Sequence, residues 1–486
     1  MKQVYIIGTG PGDEELLTLK AVKALKKCTA VLYDRLVSNN ILNYLSENCE
    51  VYYCGKEPGA HSQTQDEINE LLVKLAKKGH IVGRIKGGDP YVFGRGGEEV
   101  LALKKENISF EVIPGVTSPI AVLNYAGIPI THRGIAQSFH VITGKSAKDL
   151  KVNFKALASE EGTLVFMMGL SNLDNIVSEL IKNGKDSATP CGVIMRGTSA
   201  KQKKVIGVLD NISPKVKAAN LKSPCIIVVG EVVNLSEDLN WYESKPLFGK
   251  NICITRSRKQ SVNLKNKLVE LGAEVTSFNA IEIKNEADNL KDYIDKLGKY
   301  DHIVFTSVNS VEVFFDYLIE KDYDIRGIKA KISVIGDATE KALKQRGIRC
   351  FAKAKEFASE GLLNILKPHL NKNETLLLPC SAKSRKYIYE ELTSCGIEVD
   401  RVYIYDTVCG SVVNKKSFDE VDIVFFTSPS TVNNMIEMLG IEEIKKKKII
   451  VIGPKTNEPL EKLGIEAYVC REHSEDGFLK EIQAFI

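Results

Sequence analysis

Signals for a metal or disulfide site are scarce in this sequence of 486 residues. Its eleven cysteines include no CxxC pair, and the closest two, Cys49 and Cys54, match no common zinc pattern. We therefore expect no metal site, and reduced cytosolic thiols rather than a disulfide framework.

Long apolar runs and an excess of one charge are also missing. No stretch of about 18 apolar residues occurs, and Met1–Gly10 has a short strand pattern without the basic start of a signal peptide. Subtracting 62 acidic from 66 basic residues leaves +4, too little over this length to favour nucleic acid or membrane as a partner. We expect a cytoplasmic protein whose anionic ligands are met by locally placed cations.

The length and the 44% hydrophobic content predict two to four compact units. Strand-like runs such as Val4–Ile7 and Ile81–Ile85 alternate with helical patterns such as Gln65–Lys78, which indicates α/β layers. The segment around residue 115 divides the first half into lobes of about 1–115 and 116–243. Residues 244–249 read as a linker, and a fresh strand at Ile252–Thr255 opens a second domain, 250–486.

Two glycine-rich segments in the first half are typical of ligand-binding turns. Residues 8–13, Gly-Thr-Gly-Pro-Gly-Asp, follow a strand and precede a helix. Asp13 replaces the third glycine of a dinucleotide fingerprint and Pro11 removes an amide, which disfavours a dehydrogenase and leaves a simple tight turn as an alternative. Residues 87–98 hold five glycines around Asp89 and Arg95, a composition more typical of a ligand loop than of a surface turn.

Charged residues near these turns can serve an anionic substrate. Asp34 and Arg35 follow an apolar strand, at the sheet edge where α/β folds bind ligands, although a surface ion pair is the alternative. Lys56 and the segment Gly127–Arg133 add further cations.

The segments GTGPGD, LLTLKA, YDRLVS, GGDPYVFGRGGEE, PGVTS, GIPITHR, FMMGL and RGTSAKQ occur in family order. On these motifs the first half resembles the uroporphyrinogen-III C-methyltransferases of the tetrapyrrole methylase superfamily. The resemblance implies a two-lobed fold, a homodimer formed through this half, and S-adenosyl-methionine bound between the lobes. It implies cofactor contacts at Pro11, Gly87, Gly88, Asp89, Val92, Thr117, Ser118, Met168 and Gly197.

Catalysis in the first half would centre on Asp34 as proton acceptor and Lys56 as proton donor. Arg35, His132 and Arg133 are interpreted as anchors for substrate carboxylates, because a ring with eight acidic side chains needs distributed cations. A metal-ligand role for His132 is disfavoured, because no second ligand lies at a usable spacing.

The second half contains an internal repeat and no conventional catalytic set. Residues 303–311 recur at 424–432, and the Val334-Ile-Gly segment recurs at Val451, which predicts two similar α/β lobes facing one cleft. Hydroxyls and turn amides at the strand ends would bind carboxylates, at Thr306, Ser307, Thr427, Ser428, Gly453 and Thr456. Helix capping explains some of them equally well.

The motifs ITRSR, FTSVNSV, VIGDATEKAL, LLLPCSAKSR, VYIYDTV, FTSPSTV and VIGPKT resemble those of uroporphyrinogen-III synthases. The resemblance implies flavodoxin-like lobes of about 250–283 plus 407–486, and about 286–404, joined by a two-stranded connector near residues 283 and 406. It makes Tyr405 the candidate acid, with a buried structural tyrosine as the alternative. Arg256, Lys383 and Arg385 are candidate carboxylate contacts.

The expected function is therefore bifunctional. The second half would cyclise hydroxymethylbilane to uroporphyrinogen III, and the first would methylate it twice to precorrin-2, for sirohaem or cobalamin synthesis. Two alternatives stay open: another methylase of the superfamily, and an active methyltransferase joined to a non-catalytic tetrapyrrole-binding half.

Overall fold

The computed structural model describes residues 3–46, 48–55, 64–144, 152–255, 258–354, 359–410 and 415–485. Lys56 and Arg256, two of the predicted site residues, lie outside the described residues.

The first lobe is built on a five-stranded parallel sheet of order β3-β2-β4-β1-β5. Its strands are β1 Gln3–Gly8, β2 Ala30–Tyr33, β3 Glu50–Tyr53, β4 Val82–Lys86 and β5 Ser109–Ile113. The helices are α1 Leu19–Leu25, α2 Gln65–Lys77, α3 Gly96–Lys105 and, leading into the next lobe, α4 Ser118–Tyr125. Parallel strands bring their carboxyl ends to one edge, which positions the turns after β1, β2 and β4 together.

The second lobe has a mixed five-stranded sheet of order β6-β7-β10-β8-β9, in which only β6 and β7 run parallel. Its strands are β6 Phe139–Thr143, β7 Thr163–Met167, β8 Pro190–Met195, β9 Lys203–Val208 and β10 Cys225–Val229, and its helices are α5 Phe154–Ser159, α6 Leu173–Lys182 and α7 Leu209–Ala218. Val122 and Leu123 of α4 are buried in a core shared with this sheet, which ties the two lobes together.

The second half forms a parallel sheet of order β12-β11-β19-β20-β21 and a six-stranded sheet of order β13-β18-β17-β14-β15-β16. The strands are β11 Asn251–Ile254, β12 Glu274–Ser277, β13 Ile281–Asn285, β14 His302–Phe305, β15 Lys331–Ile335, β16 Ala352–Ala354, β17 Thr375–Ser381, β18 Glu398–Cys409, β19 Ile423–Phe426, β20 Lys448–Val451 and β21 Tyr468–Val469. We call the first of these sheets with its helices the third lobe, and the other the fourth lobe.

The third lobe draws on both ends of the second half. Its helices are α8 Arg258–Glu270, α13 Pro429–Leu439, α14 Ile441–Lys445, α15 Pro454–Glu461 and α16 Glu475–Phe485, whereas the fourth lobe has α9 Val308–Glu320, α10 Asp337–Gln345, α11 Ser359–Leu366 and α12 Tyr387–Ser394. The chain passes between them along the antiparallel pair β13 and β18, where Ile283 faces Thr407. The predicted α/β fold with a discontinuous lobe is confirmed.

The segment predicted as a linker is packed against both halves. Leu247 is fully buried in the core of the third lobe, and its amide donates to the Leu271 carbonyl at 2.9 Å. The Phe248 ring lies 5.3 Å from that of Tyr242, which in turn contacts Tyr125 of α4 at 4.7 Å. The two halves are thus joined through an aromatic cluster, and the domain limits at 243 and 250 stay predictions. Across the described residues we find no helix with the length and apolar character needed to cross a bilayer.

Candidate active sites

Three glycines meet where strands of the first sheet end. Gly8 ends β1, while Gly88 and Gly115 follow β4 and β5. A Cβ atom on Gly115 would lie 2.3 Å from the Gly88 carbonyl oxygen, and one on Gly8 would lie 2.5 Å from the Gly115 amide nitrogen. Only residues without side chains fit in this glycine junction, because the three backbones pack directly against one another at the sheet edge where α/β folds bind ligands.

The predicted cofactor contacts of the first lobe lie in or beside the glycine junction. Asp89 accepts hydrogen bonds from the amides of Gly115 at 3.1 Å and Tyr91 at 2.8 Å. Thr117 is the N-cap of α4, and Ser118 Oγ lies 3.5 Å from the position of a Gly88 Cβ. Three further predicted contacts are near neighbours of these residues in the chain, namely Pro11, Gly87 and Val92.

The second lobe contributes the other two predicted cofactor contacts. Gly197 packs on α4, where a Cβ atom would lie 2.4 Å from Val122 Cγ1. Met168 follows β7 with a φ of 56°, and it lines an open cavity of about 680 Å³ with Tyr91 and Phe93 of the first lobe. Both residues thus lie against parts of the first lobe, and their role in cofactor binding stays a prediction.

A buried charge network holds Asp34. Arg84 Nη2 donates to both carboxylate oxygens of Asp34, at 2.8 and 2.7 Å, and Arg84 Nε donates to Glu99 at 2.8 Å. Lys86 Nζ donates to the same Glu99 oxygen at 2.9 Å. Arg84 and Glu99 are 2% and 0% exposed, whereas the Asp34 side chain is 32% exposed. The network thus fixes the Asp34 carboxylate from its buried side, while the exposed part of the side chain stays accessible to a ligand.

The pKa values of the two cations in this network are shifted in opposite directions. Burial acts to lower the pKa of Arg84, but the carboxylates of Glu99 and Asp34 outweigh burial and raise that pKa. Burial, together with the charge of Arg84, lowers the pKa of Lys86 against the pull of Glu99. Arg84 is therefore the permanent cation under Asp34.

Sequence reasoning missed Arg84, Lys86 and Glu99. A signal was present, because Arg84 and Lys86 are two residues apart in a strand that reads as buried, and residues at that spacing share one face. Two cations on one face of a buried strand require acidic partners. The partner could not be read from sequence spacing, because Glu99 lies on a different element, α3.

Asp34 and Arg35 line a cavity of about 820 Å³ that extends between the two halves of the chain. The first half also contributes Pro11 and Tyr33, and the second half contributes Asn251, Glu274, Thr276, Lys415, Ser417 and Glu420. The described lining of this cavity includes neither His132 nor Arg133, which are both exposed and joined by a 2.9 Å contact between His132 Nδ1 and the Arg133 carbonyl. The structure therefore places Arg35 beside Asp34 in this cavity, whereas His132 and Arg133 lie outside its described lining.

In the second half, Tyr405 of β18 is brought to Ser307. Its hydroxyl lies 2.8 Å from Ser307 Oγ, and the tyrosine is only 6% exposed. Burial raises the pKa of Tyr405, while hydrogen bonds with Ser307 and Asn309 act in the opposite direction. The neighbouring Tyr403 is 38% exposed, under the guanidinium of Arg401. Tyr405 is thus a buried, hydrogen-bonded tyrosine, and its catalytic role stays a prediction.

The paired hydroxyl motifs of the repeat form equivalent helix caps. Ser307 accepts from the Ser310 amide at 3.1 Å to start α9, and Ser428 accepts from the Thr431 amide at 3.3 Å to start α13. Thr306 and Thr427 directly precede these caps, and Thr456 is 3% exposed in the first turn of α15. Capping therefore accounts for Ser307 and Ser428, and substrate binding by any of the five stays a prediction. Lys383 bonds to the Thr407 carbonyl, and Arg385 is exposed.

The described residues include no group of three or more His, Cys, Asp or Glu side chains that could hold a metal ion.

Comparison with known proteins agrees with this division of the chain. Residues 3–213 match the family of tetrapyrrole (corrin/porphyrin) methylases, and residues 262–480 match the family of uroporphyrinogen-III synthase HemD. A porphyrin biosynthesis protein HemD from Ruminiclostridium josui is 36% identical over 492 residues, which cover 99% of this chain and 97% of that protein. The chain belongs to this HemD family of porphyrin biosynthesis proteins.

Some of the similar proteins match the first half of this chain alone. A uroporphyrinogen-III C-methyltransferase from Methanocaldococcus jannaschii is 51% identical over 48% of this chain and 97% of its own length. The solved uroporphyrin III C-methyl transferase from Thermus thermophilus is 39% identical, covering 48% of this chain and 99% of its own, with a TM-score of 0.42. This HemD-family chain is a fusion of a C-methyltransferase domain with a uroporphyrinogen-III synthase domain, and both predictions are confirmed.

Proposed function

We propose that the second half closes hydroxymethylbilane to uroporphyrinogen III and that the first half methylates this ring twice, with S-adenosyl-methionine, to precorrin-2. The observation that carries the proposal is the Asp34 carboxylate, held by two hydrogen bonds from buried Arg84 on the wall of a cavity of about 820 Å³. A cavity of this volume is of the size that small-molecule ligands occupy.

The glycine junction fits the methyl donor. Close packing of Gly8, Gly88 and Gly115 fixes the turns that carry the proposed contacts, and Asp89 holds the turn after β4 by accepting from the Gly115 amide. Bound S-adenosyl-methionine would supply an electrophilic methyl group. Pro11, Gly87, Gly88, Asp89, Val92, Thr117, Ser118, Met168 and Gly197 would hold it.

The chain's own residues would position the tetrapyrrole and accept a proton. Because Arg84 donates to both of its oxygens, the Asp34 carboxylate is held in one orientation, and it would accept the proton that the tetrapyrrole releases once a pyrrole carbon has been methylated. Arg35 on the same wall would pair with a substrate carboxylate. Lys56 as proton donor, with His132 and Arg133 as further anchors, completes the proposed set.

In the synthase half, Tyr405 would donate a proton to the departing hydroxyl of hydroxymethylbilane, which leaves as water. Its hydrogen bond with Ser307 orients the phenol, and burial keeps it protonated at neutral pH. Thr306, Thr427, Ser428, Thr456 and Arg256 would bind substrate carboxylates. The second candidate function, a non-catalytic tetrapyrrole-binding half, is favoured by the low exposure of Tyr405.

Two further parts of the proposal are a homodimer formed through the first half and a cytoplasmic location. The free thiols of all eleven cysteines support a reducing compartment.

A one-pot assay tests the proposed function. The purified chain is given hydroxymethylbilane without oxygen, together with labelled S-adenosyl-methionine, and the ring isomer and methyl count are determined. We expect a dimethylated type III product. Methylation only of preformed uroporphyrinogen III would leave the second half as a binding module, and methylation of neither substrate would refute the proposal.

A further inference from the structure

The loop Arg196–Ala200 of the methyltransferase domain is held from both sides. Within its own domain, Gly197 packs on Val122 of α4, and buried Thr198 accepts at 3.2 Å from the amide of Asp13 in the first glycine turn. The loop therefore joins the two lobes of the methyltransferase at the region proposed to hold the cofactor. Arg196 and Thr198 have φ angles of 48° and 70°, which residues other than glycine adopt only when their surroundings enforce them.

Two carboxylates of the synthase domain bind the ends of this loop. Arg196 Nη2 donates to both oxygens of Glu420, at 2.7 and 3.0 Å. At the other end, the amide of Ala200 donates to Glu274 Oε2 at 3.0 Å. Each contact joins residues far apart in sequence, and both carboxylates also line the cavity that contains Asp34.

The third lobe offers this contact from the side opposite its own predicted substrate groups. Glu274 begins β12 and Glu420 precedes β19, so both lie at the amino ends of parallel strands. Thr427 and Ser428 follow the carboxyl end of β19. The contact to the methyltransferase can therefore change without moving the hydroxyls proposed to serve ring closure.

We propose that Glu274 and Glu420 of the synthase domain are positioning residues of the methyltransferase: they hold the Arg196–Ala200 loop in the conformation that binds the methyl donor. The inference rests on the proposed function, because Gly197 is a proposed cofactor contact. It makes cofactor affinity depend on an attached domain whose own reaction does not need the cofactor.

Substitution of Glu274 tests this positioning role in the full-length chain. Glu274→Met leaves the Ala200 amide without its acceptor, so we expect about a tenfold weaker affinity for S-adenosyl-homocysteine by calorimetry and a matching rise in KM for S-adenosyl-methionine, with little change in kcat. Glu274→Gln keeps an acceptor oxygen and is expected to restore binding. Glu420→Leu is expected to weaken binding less, because its ion pair with Arg196 is more than one-third exposed.

Glu466→Gln is the matched control, because it removes an exposed carboxylate from the same lobe. Synthase activity and thermal unfolding of each variant establish that the third lobe is folded. An unchanged affinity for S-adenosyl-homocysteine in the Glu274→Met, Glu420→Leu double variant would overturn the proposed positioning role. Failure of the unmodified chain to bind S-adenosyl-homocysteine would instead count against the proposed function.

Discussion

At the scale of single residues, Arg84 connects the two carboxylates of the buried charge network. It is 2% exposed and lies between the carboxylates of Asp34 and Glu99, so removing it leaves two acidic groups facing each other with only Lys86 between them. Breaking a buried ion pair by removing one partner costs about 3–5 kcal/mol, more than the pair itself contributes over an apolar substitute.

We therefore expect Arg84→Met to lower the free energy of unfolding by roughly that 3–5 kcal/mol and to abolish methylation. Arg84→Lys keeps the charge but loses the paired donors, and it should recover stability more than activity. Denaturant unfolding and a methylation assay of both variants give the comparison. Full methylation by Arg84→Met would show that Asp34 needs no fixed partner.

Tyr405 and Tyr403 form a matched pair on one strand. Tyr405→Phe removes the 2.8 Å contact with Ser307, and we expect it to cost about 1 kcal/mol of stability and to slow ring closure roughly 100-fold. Tyr403→Phe alters a half-exposed ring and should leave ring closure as it is. The initial rate of uroporphyrinogen III formation, measured for each variant, distinguishes the two tyrosines. Equal rates in the two variants would make Tyr405 structural.

At the scale of elements, the chain segments at the carboxyl ends of β1, β4 and β5 approach one another closely because glycines occupy the points of contact. A Cβ atom at Gly115 would meet the Gly88 carbonyl oxygen at 2.3 Å, a contact that only a backbone shift can relieve. Overpacking of this kind costs about 1–3 kcal/mol, and here the shift moves the turns proposed to hold the cofactor.

Gly115→Ala is thus expected to reduce S-adenosyl-homocysteine affinity at least tenfold or so while leaving ring closure intact. Gly184→Ala serves as control, because it introduces strain at a φ of 103° with no neighbour within 4 Å of the new Cβ. It should lower the melting temperature without affecting binding. A similar loss of affinity in both variants would attribute the effect to general destabilisation.

At the scale of the whole molecule, the two proposed sites lie at opposite ends of the third lobe. The methyltransferase cavity borders the amino ends of its strands, at Asn251, Glu274 and Glu420, whereas Thr427 and Ser428 lie at the carboxyl ends. Strands of four residues separate the two by about 13 Å of sheet. We therefore expect uroporphyrinogen III to leave one site before it enters the other.

Mixing two variants tests this arrangement. Tyr405→Phe retains methylation and Gly115→Ala retains ring closure, so we expect an equimolar mixture to form dimethylated product from hydroxymethylbilane. When the hydroxymethylbilane carries the label, excess unlabelled uroporphyrinogen III should dilute the label in the product of the unmodified chain to the same degree as in that of the mixture. Product of undiluted label from the unmodified chain would instead indicate direct transfer between the halves.

Much of the fold could be predicted because its determinants are local. The periodicity of Val4–Ile7 and Gln65–Lys78 predicts a strand and a helix, and the structure has them at Gln3–Gly8 and Gln65–Lys77. The repeat in the second half likewise forms matching strand, cap and helix units at Ser307 and Ser428. The motifs also sufficed to identify two enzyme families, which the comparisons confirm.

Sequence alone determined the elements, the glycine turns and the two families, since each depends on neighbouring residues or on motifs in fixed order. Only the tertiary structure decided which polar side chains meet: Arg84 with Asp34, 50 residues apart, Ser307 with Tyr405, 98 apart, and Arg196 with Glu420, 224 apart. The reason is physical. Hydrogen bonds reach only about 3 Å, so they depend on how sheets and lobes pack, which local periodicity does not encode.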